Sequence, residues 1–86
     1  MALYLVDEPF ADIALAYASF DPQAKIVLLN DAVYSTNRGS SFKEVYALAD
    51  DVKRRGLFEG YPTNIRLIGY DKLVEMMESD KVANFL

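Results

Sequence analysis

Residues 25–34 read KIVLLNDAVY, and this stretch decides the fold. Ile26-Val27-Leu28-Leu29 is a continuous apolar run with two β-branched residues. A run this short, apolar on both faces, fits a strand of a parallel sheet with helices above and below it. It stops at Asn30-Asp31, which suit the cap of a helical turn beginning at Ala32. The same grammar recurs three times: ALYLV (2–6) precedes Asp7-Glu8, VYALA (45–49) precedes Asp50-Asp51, and IRLIGY (65–70) precedes Asp71. Strands alternating with helical segments imply right-handed βαβ units. The expected fold class is α/β, a three-layer α/β/α arrangement on a small, mainly parallel sheet of four to five strands. Ligand sites of such sheets favour the carboxyl ends of the strands, so any site is expected at this acidic rim.

Between the runs, Phe10, Ile13, Ala14 and Tyr17 recur at helical spacing, which predicts an amphipathic helix over residues 9–19, with Pro9 in its first turn. Residues 36–41 (TNRGSS) are the most polar stretch and read as a loop; with no Gly-Lys-Ser/Thr, they do not form a phosphate-binding loop. Residues 51–55 read as a short helix ending in Lys53-Arg54-Arg55, where cations complement the helix dipole, and Gly56 suits the left-handed position beyond it. Residues 72–79 read as a last helix with Leu73, Met76 and Met77 inward, and VANFL (82–86) as an apolar tail that docks back or pairs with a neighbour.

Composition narrows the chemistry. The 86 residues suit one domain, 1–86, and include neither Cys nor His. Disulfides, thiol nucleophiles, Cys or His metal ligands and imidazole catalysis are excluded together. Ser40 and Ser41 have only Lys43 nearby to activate them, and no catalytic residue is assigned. A net charge of −4 lacks the footprint needed to hold a phosphate backbone, so direct nucleic-acid binding is not expected. No basic leader precedes the first apolar run and no run reaches membrane-spanning length, so the chain is expected to be cytoplasmic. No cofactor is expected.

The rim carries Asp7, Glu8, Asp31, Asp50, Asp51 and Asp71. One reading makes each acid the cap of its own helix, contributing roughly 0.5–2 kcal/mol apiece. The other makes the rim a site for a hard divalent cation or small ligand, and hence the chain a stand-alone binding module. Asp7, Asn30, Asp31, Tyr34, Tyr46, Asp50 and Asp51 are the residues expected at a crevice or interface. At 52% the hydrophobic fraction is generous for so small a core, and the aromatics Tyr34, Phe42, Tyr46 and Phe58, with the apolar tail, are further interface candidates. Self-association of the purified chain is expected.

Three stretches taken together, IVLLNDAVY (26–34), VYALADDVKRRGL (45–57) and IRLIGYDKLVEMMESDKVANFL (65–86), resemble the DsrH/TusB family of sulfur-relay proteins. The shared features are the strand-then-Asp at 29–31, the VYAL…D…RGL pattern and the Tyr-Asp before the last helix. With Leu3-Tyr4-Leu5 and Pro9-Phe10 the likeness spans nearly the whole chain. It implies a DsrE/F/H-like domain that joins DsrE/TusD-like and DsrF/TusC-like subunits. There, a persulfide on a cysteine of the DsrE/TusD-like subunit is relayed onward, to 2-thiouridine at the tRNA wobble position in one branch and to dissimilatory sulfur oxidation in the other. Some members carry a cysteine in the first helix; here Ala14-Leu15-Ala16 fills that stretch. A persulfide needs a thiolate, so the resemblance implies a non-catalytic subunit.

Overall fold

A computed structural model describes residues 2–8, 10–34, 42 and 44–85. In chain order the elements are β1 (Ala2–Val6), α1 (Ala11–Ala18), β2 (Lys25–Leu28), a 3₁₀ turn (Asn30–Tyr34), β3 (Glu44–Leu48), α2 (Ala49–Arg54), β4 (Ile65–Ile68), α3 (Tyr70–Ser79) and β5 (Lys81–Phe85). The polar stretch 36–41 and Pro9 lie outside the described residues. The apolar runs become the strands, because each can bury side chains on both faces of a sheet.

The five strands are ordered β4-β3-β2-β1-β5, and every ladder is parallel. From β1 to β4 the chain steps across the sheet in one direction; it then crosses back to lay β5 on the far side of β1. Right-handed crossovers in opposite directions place their helices on opposite faces. Accordingly, Ala14 and Leu15 of α1, Val33 of the 3₁₀ turn and Val52 of α2 form one core with Tyr4, Val6, Ile26, Leu28, Val45 and Ala47. Leu73 and Met76 of α3 form a second core with Leu3, Leu5, Val27, Tyr46, Leu48 and Ile68. This is the three-layer α/β/α architecture. Residues 82–85 of the apolar tail dock back as most of β5, in register with β1 from Ala2↔Lys81 to Val6↔Phe85.

Helix α2 stops as its sequence dictates. Gly56 takes φ +69°, and the amides of Gly56 and Leu57 donate to the carbonyls of Lys53 and Val52 at 3.0 Å each. Those two bonds are a Schellman motif, and Leu57 packs on the core beside Val52. Helix α1 departs from expectation. Its buried residues are Ala11, Ala14, Leu15 and Ala18, whereas Phe10, Ile13 and Tyr17 face out. Three alanines on the sheet side let the helix sit close to the strands. The larger side chains could not fit there without prising it off.

Candidate functional site

The loops after β1 and β2 and the start of α2 meet at the carboxyl edge of the sheet. Asn30 adopts a left-handed backbone, φ +50°, a conformation that asparagine tolerates better than most residues. That turn aims its backbone N–H at Asp51 Oδ2, 2.8 Å away, while its side-chain Nδ2 donates to Asp7 Oδ2 at 3.2 Å. Asp51 is the buried centre, 3% exposed. Its Oδ1 accepts from Arg54 Nη1 at 3.0 Å and lies 3.6 Å from Arg55 Nη1. Arg55 Nε donates to Asp31 Oδ1 at 3.0 Å. Asp7 Oδ1 is buried and has no hydrogen-bond partner among the described residues.

Asp7, Asn30 and Asp51 therefore form one network across the ends of three strands, with Asp31 joined through Arg55. The other expected site residues lie elsewhere. Asp50 is exposed in the first turn of α2. Tyr34 is exposed and helps line a groove of about 220 Å³ with Val33, Leu57, Tyr61 and Pro62, smaller than most small-molecule sites. Tyr61 closes one side of it. Its hydroxyl donates to the Val33 carbonyl at 2.8 Å, and burial pushes its pKa up to about 12.

Tyr46 is buried on the α3 face, away from the rim. Its hydroxyl donates to Glu44 Oε1 at 2.7 Å, and the Arg66 guanidinium lies 5.9 Å from its ring centre. Burial, then the Glu44 carboxylate, raises its pKa. Of the other interface candidates, Phe58 is exposed with Lys53 Nζ 5.1 Å from its ring centre, and Phe42 is half-buried against the α1-side core.

The rim acids do not cap their helices. The residues at the three helix N-termini are Phe10, Leu48 and Gly69, and none of the helices has a side-chain cap. The acids fall after the cap position, in the first turn, or on the turn before. Asp51 satisfies an amide of another segment, and Asp31 an arginine from α2. The basic cluster does more than complement a helix end, since Arg54 pairs with Asp51 and Arg55 bridges Asp51 and Asp31. Spacing alone does not show such long-range pairing. The one available signal was the coincidence of an Asn after a strand with two consecutive arginines after the next. Among the described residues, no group of three or more His, Cys, Asp or Glu is placed to hold a metal ion.

The DsrH-like protein family matches residues 9–82. The chain belongs to the DsrH-like family. Among solved structures this DsrH-like chain is similar to the crystal structure of the ychN protein from E. coli. The TM-score is 0.72 at 13% sequence identity, over 98% of this chain and 97% of that one; at that identity the likeness is one of fold. No curated protein matches the chain. No helix among the described residues of this DsrH-like domain is long and apolar enough to cross a membrane.

Proposed function

We propose that this chain is a non-catalytic subunit of a cytoplasmic sulfur-relay complex, in which the persulfide is carried by cysteines of partner chains. The observation that supports it is the pairing of a DsrH-like match over residues 9–82 with a sequence that contains no cysteine. Sulfur relay proceeds by thiolate attack on a sulfur atom, so a chain without a thiol contributes surface and positioning. The partners are DsrE/TusD-like and DsrF/TusC-like chains, and the relay ends either at wobble 2-thiouridine of tRNA or in dissimilatory sulfur oxidation. Self-association belongs to the same reading, with the edge strand β5 as an available surface.

The test is deletion of the gene, with both end products measured. Loss of wobble 2-thiouridine or of sulfur oxidation, restored by the wild-type chain, supports the reading. Both unchanged would refute it. In vitro, persulfide transfer between purified DsrE-like and DsrF-like partners should speed up when this chain is added.

A further inference from the structure

The 3₁₀ turn and the connection from α2 to β4 enclose the groove of about 220 Å³ on the α1 side of the sheet. Val33 and Leu57, which pack with the α1-side core, line it together with the rings of Tyr34, Tyr61 and Pro62. Gly56 and Gly60 add bare backbone to the lining. Both hold positive φ, +69° and +77°, and nothing lies within 4 Å of where a side chain would begin. The groove is built before anything occupies it. The bond from the Tyr61 hydroxyl to the Val33 carbonyl, 2.8 Å, ties the connection to the 3₁₀ turn, and the Leu57 amide is held by the Val52 carbonyl at 3.0 Å. A preorganised surface loses little entropy on binding.

Among the described lining residues Glu59 alone is charged. It forms no hydrogen bond or ion pair among the described residues, whereas Asp31, Asp51, Glu75 and Asp80 are each paired with a cation of this chain. An unpaired carboxylate beside ring faces suits a cation, which the carboxylate attracts by charge and the rings by their quadrupole. The surface beside the groove already shows the second of these contacts. Lys53 Nζ lies 5.1 Å from the ring centre of Phe58, the residue before Glu59.

Arginine suits the groove better than lysine. Its guanidinium is planar and weakly hydrated, stacks on aromatic rings and offers a fork of donors to a carboxylate. The volume falls below the roughly 300–1,000 Å³ of small-molecule sites, so the groove takes one side chain rather than a whole ligand. Exposed rings continue around it, Tyr34 at 57% and Phe58 at 52%. A chain that carries the arginine can cover them, and a free guanidinium compound cannot.

We propose that this groove is a recognition site for a single arginine side chain presented by another protein, with Glu59 accepting from the guanidinium and the Tyr34 and Tyr61 rings stacking on it. A second copy has no described arginine to spare. Arg54 and Arg55 pair with Asp51 and Asp31, and Arg66 lies over Tyr46 on the α3 side. Failure of the sulfur-relay reading leaves the site untouched, because no residue of the groove enters that reading.

The test follows the backbone amide signals of the full chain by NMR while acetyl-Gly-Arg-Gly-amide is added. The amides of Tyr34, Gly56 and Gly60 should shift saturably. The same peptide with citrulline, which has the shape of arginine without its charge, should leave them in place. Glu59→Gln and Tyr34→Ala, both at exposed positions, should each weaken binding by about twofold to fivefold. Glu78→Gln, on the exposed side of α3, should not change it. No shift, equal binding of the citrulline peptide or of acetyl-Pro-Pro-Pro-amide, or full binding by both groove variants overturns the site. Methylguanidinium that binds as tightly as the arginine peptide overturns its assignment to a protein side chain. A dimer of the chain alone that Glu59→Gln dissolves overturns its assignment to another protein.

Discussion

Helices α1 and α3 cover opposite faces of one sheet with inverted side-chain patterns. In α3, Leu73 and Met76 point inward, while Lys72, Glu75 and Glu78 face solvent together with Val74 and with Met77, which the helical spacing places inward. In α1, Ala11, Ala14 and Ala18 point inward while Ile13 and Tyr17, continued by Phe10 and Phe20, face out. Periodicity reveals that a helix has an apolar stripe; it does not reveal whether that stripe serves the domain or something outside it. The α3 stripe is a core in the ordinary sense. The α1 stripe is surplus to the core.

Truncating α3 should destabilise the domain most. Leu73→Ala removes one of the two buried side chains with which α3 covers its face of the sheet. It should cost about 2–5 kcal/mol, read as a fall in the denaturation midpoint. On the α1 side the damaging change runs the other way. Ala14 is fully buried, so Ala14→Leu should overpack the helix–sheet contact and cost about 1–3 kcal/mol by the same measurement. If enlarging Ala14 proved neutral, the close approach of α1 to the sheet would be refuted.

Alkaline titration probes both faces at once. Tyr4 and Tyr61 pack on the α1 side, Tyr46 on the α3 side, and burial raises all three above the ordinary value of 10.0. Lys25 is raised above 10.5, first by its hydrogen bond to Asp80. For each group the folded state holds its proton to higher pH than the unfolded chain. The stability linked to it is therefore complete below the unfolded pKa and lost as pH rises through the folded one. Melting temperature should be level from neutral pH to near pH 10 and fall between pH 10 and 12. Tyr61→Phe should make that fall shallower, and at neutral pH it should cost about 0.5–1.5 kcal/mol for the lost bond to Val33. The smallest effect is the sharpest contrast with Leu73. Ile13→Gln on the outer face of α1 should shift stability by no more than about 0.5 kcal/mol.

Strands β1, β2 and β3 are legible in the sequence because burial on both faces leaves a nearly continuous apolar signature, and β1 spans the expected Ala2–Val6; β4, at the sheet edge, keeps that signature only in Ile65, Leu67 and Ile68 around the exposed Arg66. As a strand, β5 was hidden, since it starts with Lys81 at the sheet edge and takes its register from residues at the other end of the sequence. The acidic rim was legible in position but not in purpose. Its geometry depends on a left-handed turn at Asn30 and on two arginines delivered by α2, and neither follows from local propensity. Tyr46 packs in the α3-side core, and a tyrosine in a strand reads equally well as an interface residue or as a ring sealed inside a sheet.

The pairing of β1 with β5 also governs how the domain is made. It joins residue 2 to residue 81, so the ladder on one side of β1 is closed only after almost everything between has been synthesised. During translation, at about 5–20 residues per second, early segments begin to fold before late ones emerge. For several seconds β1, an apolar ALYLV strand, is an open edge of the kind that templates aggregation. Such long-range parallel pairing is also intrinsically slow. The growing chain thus depends on the solubility of the segment around β1 and α1, which is where its surplus negative charge is concentrated.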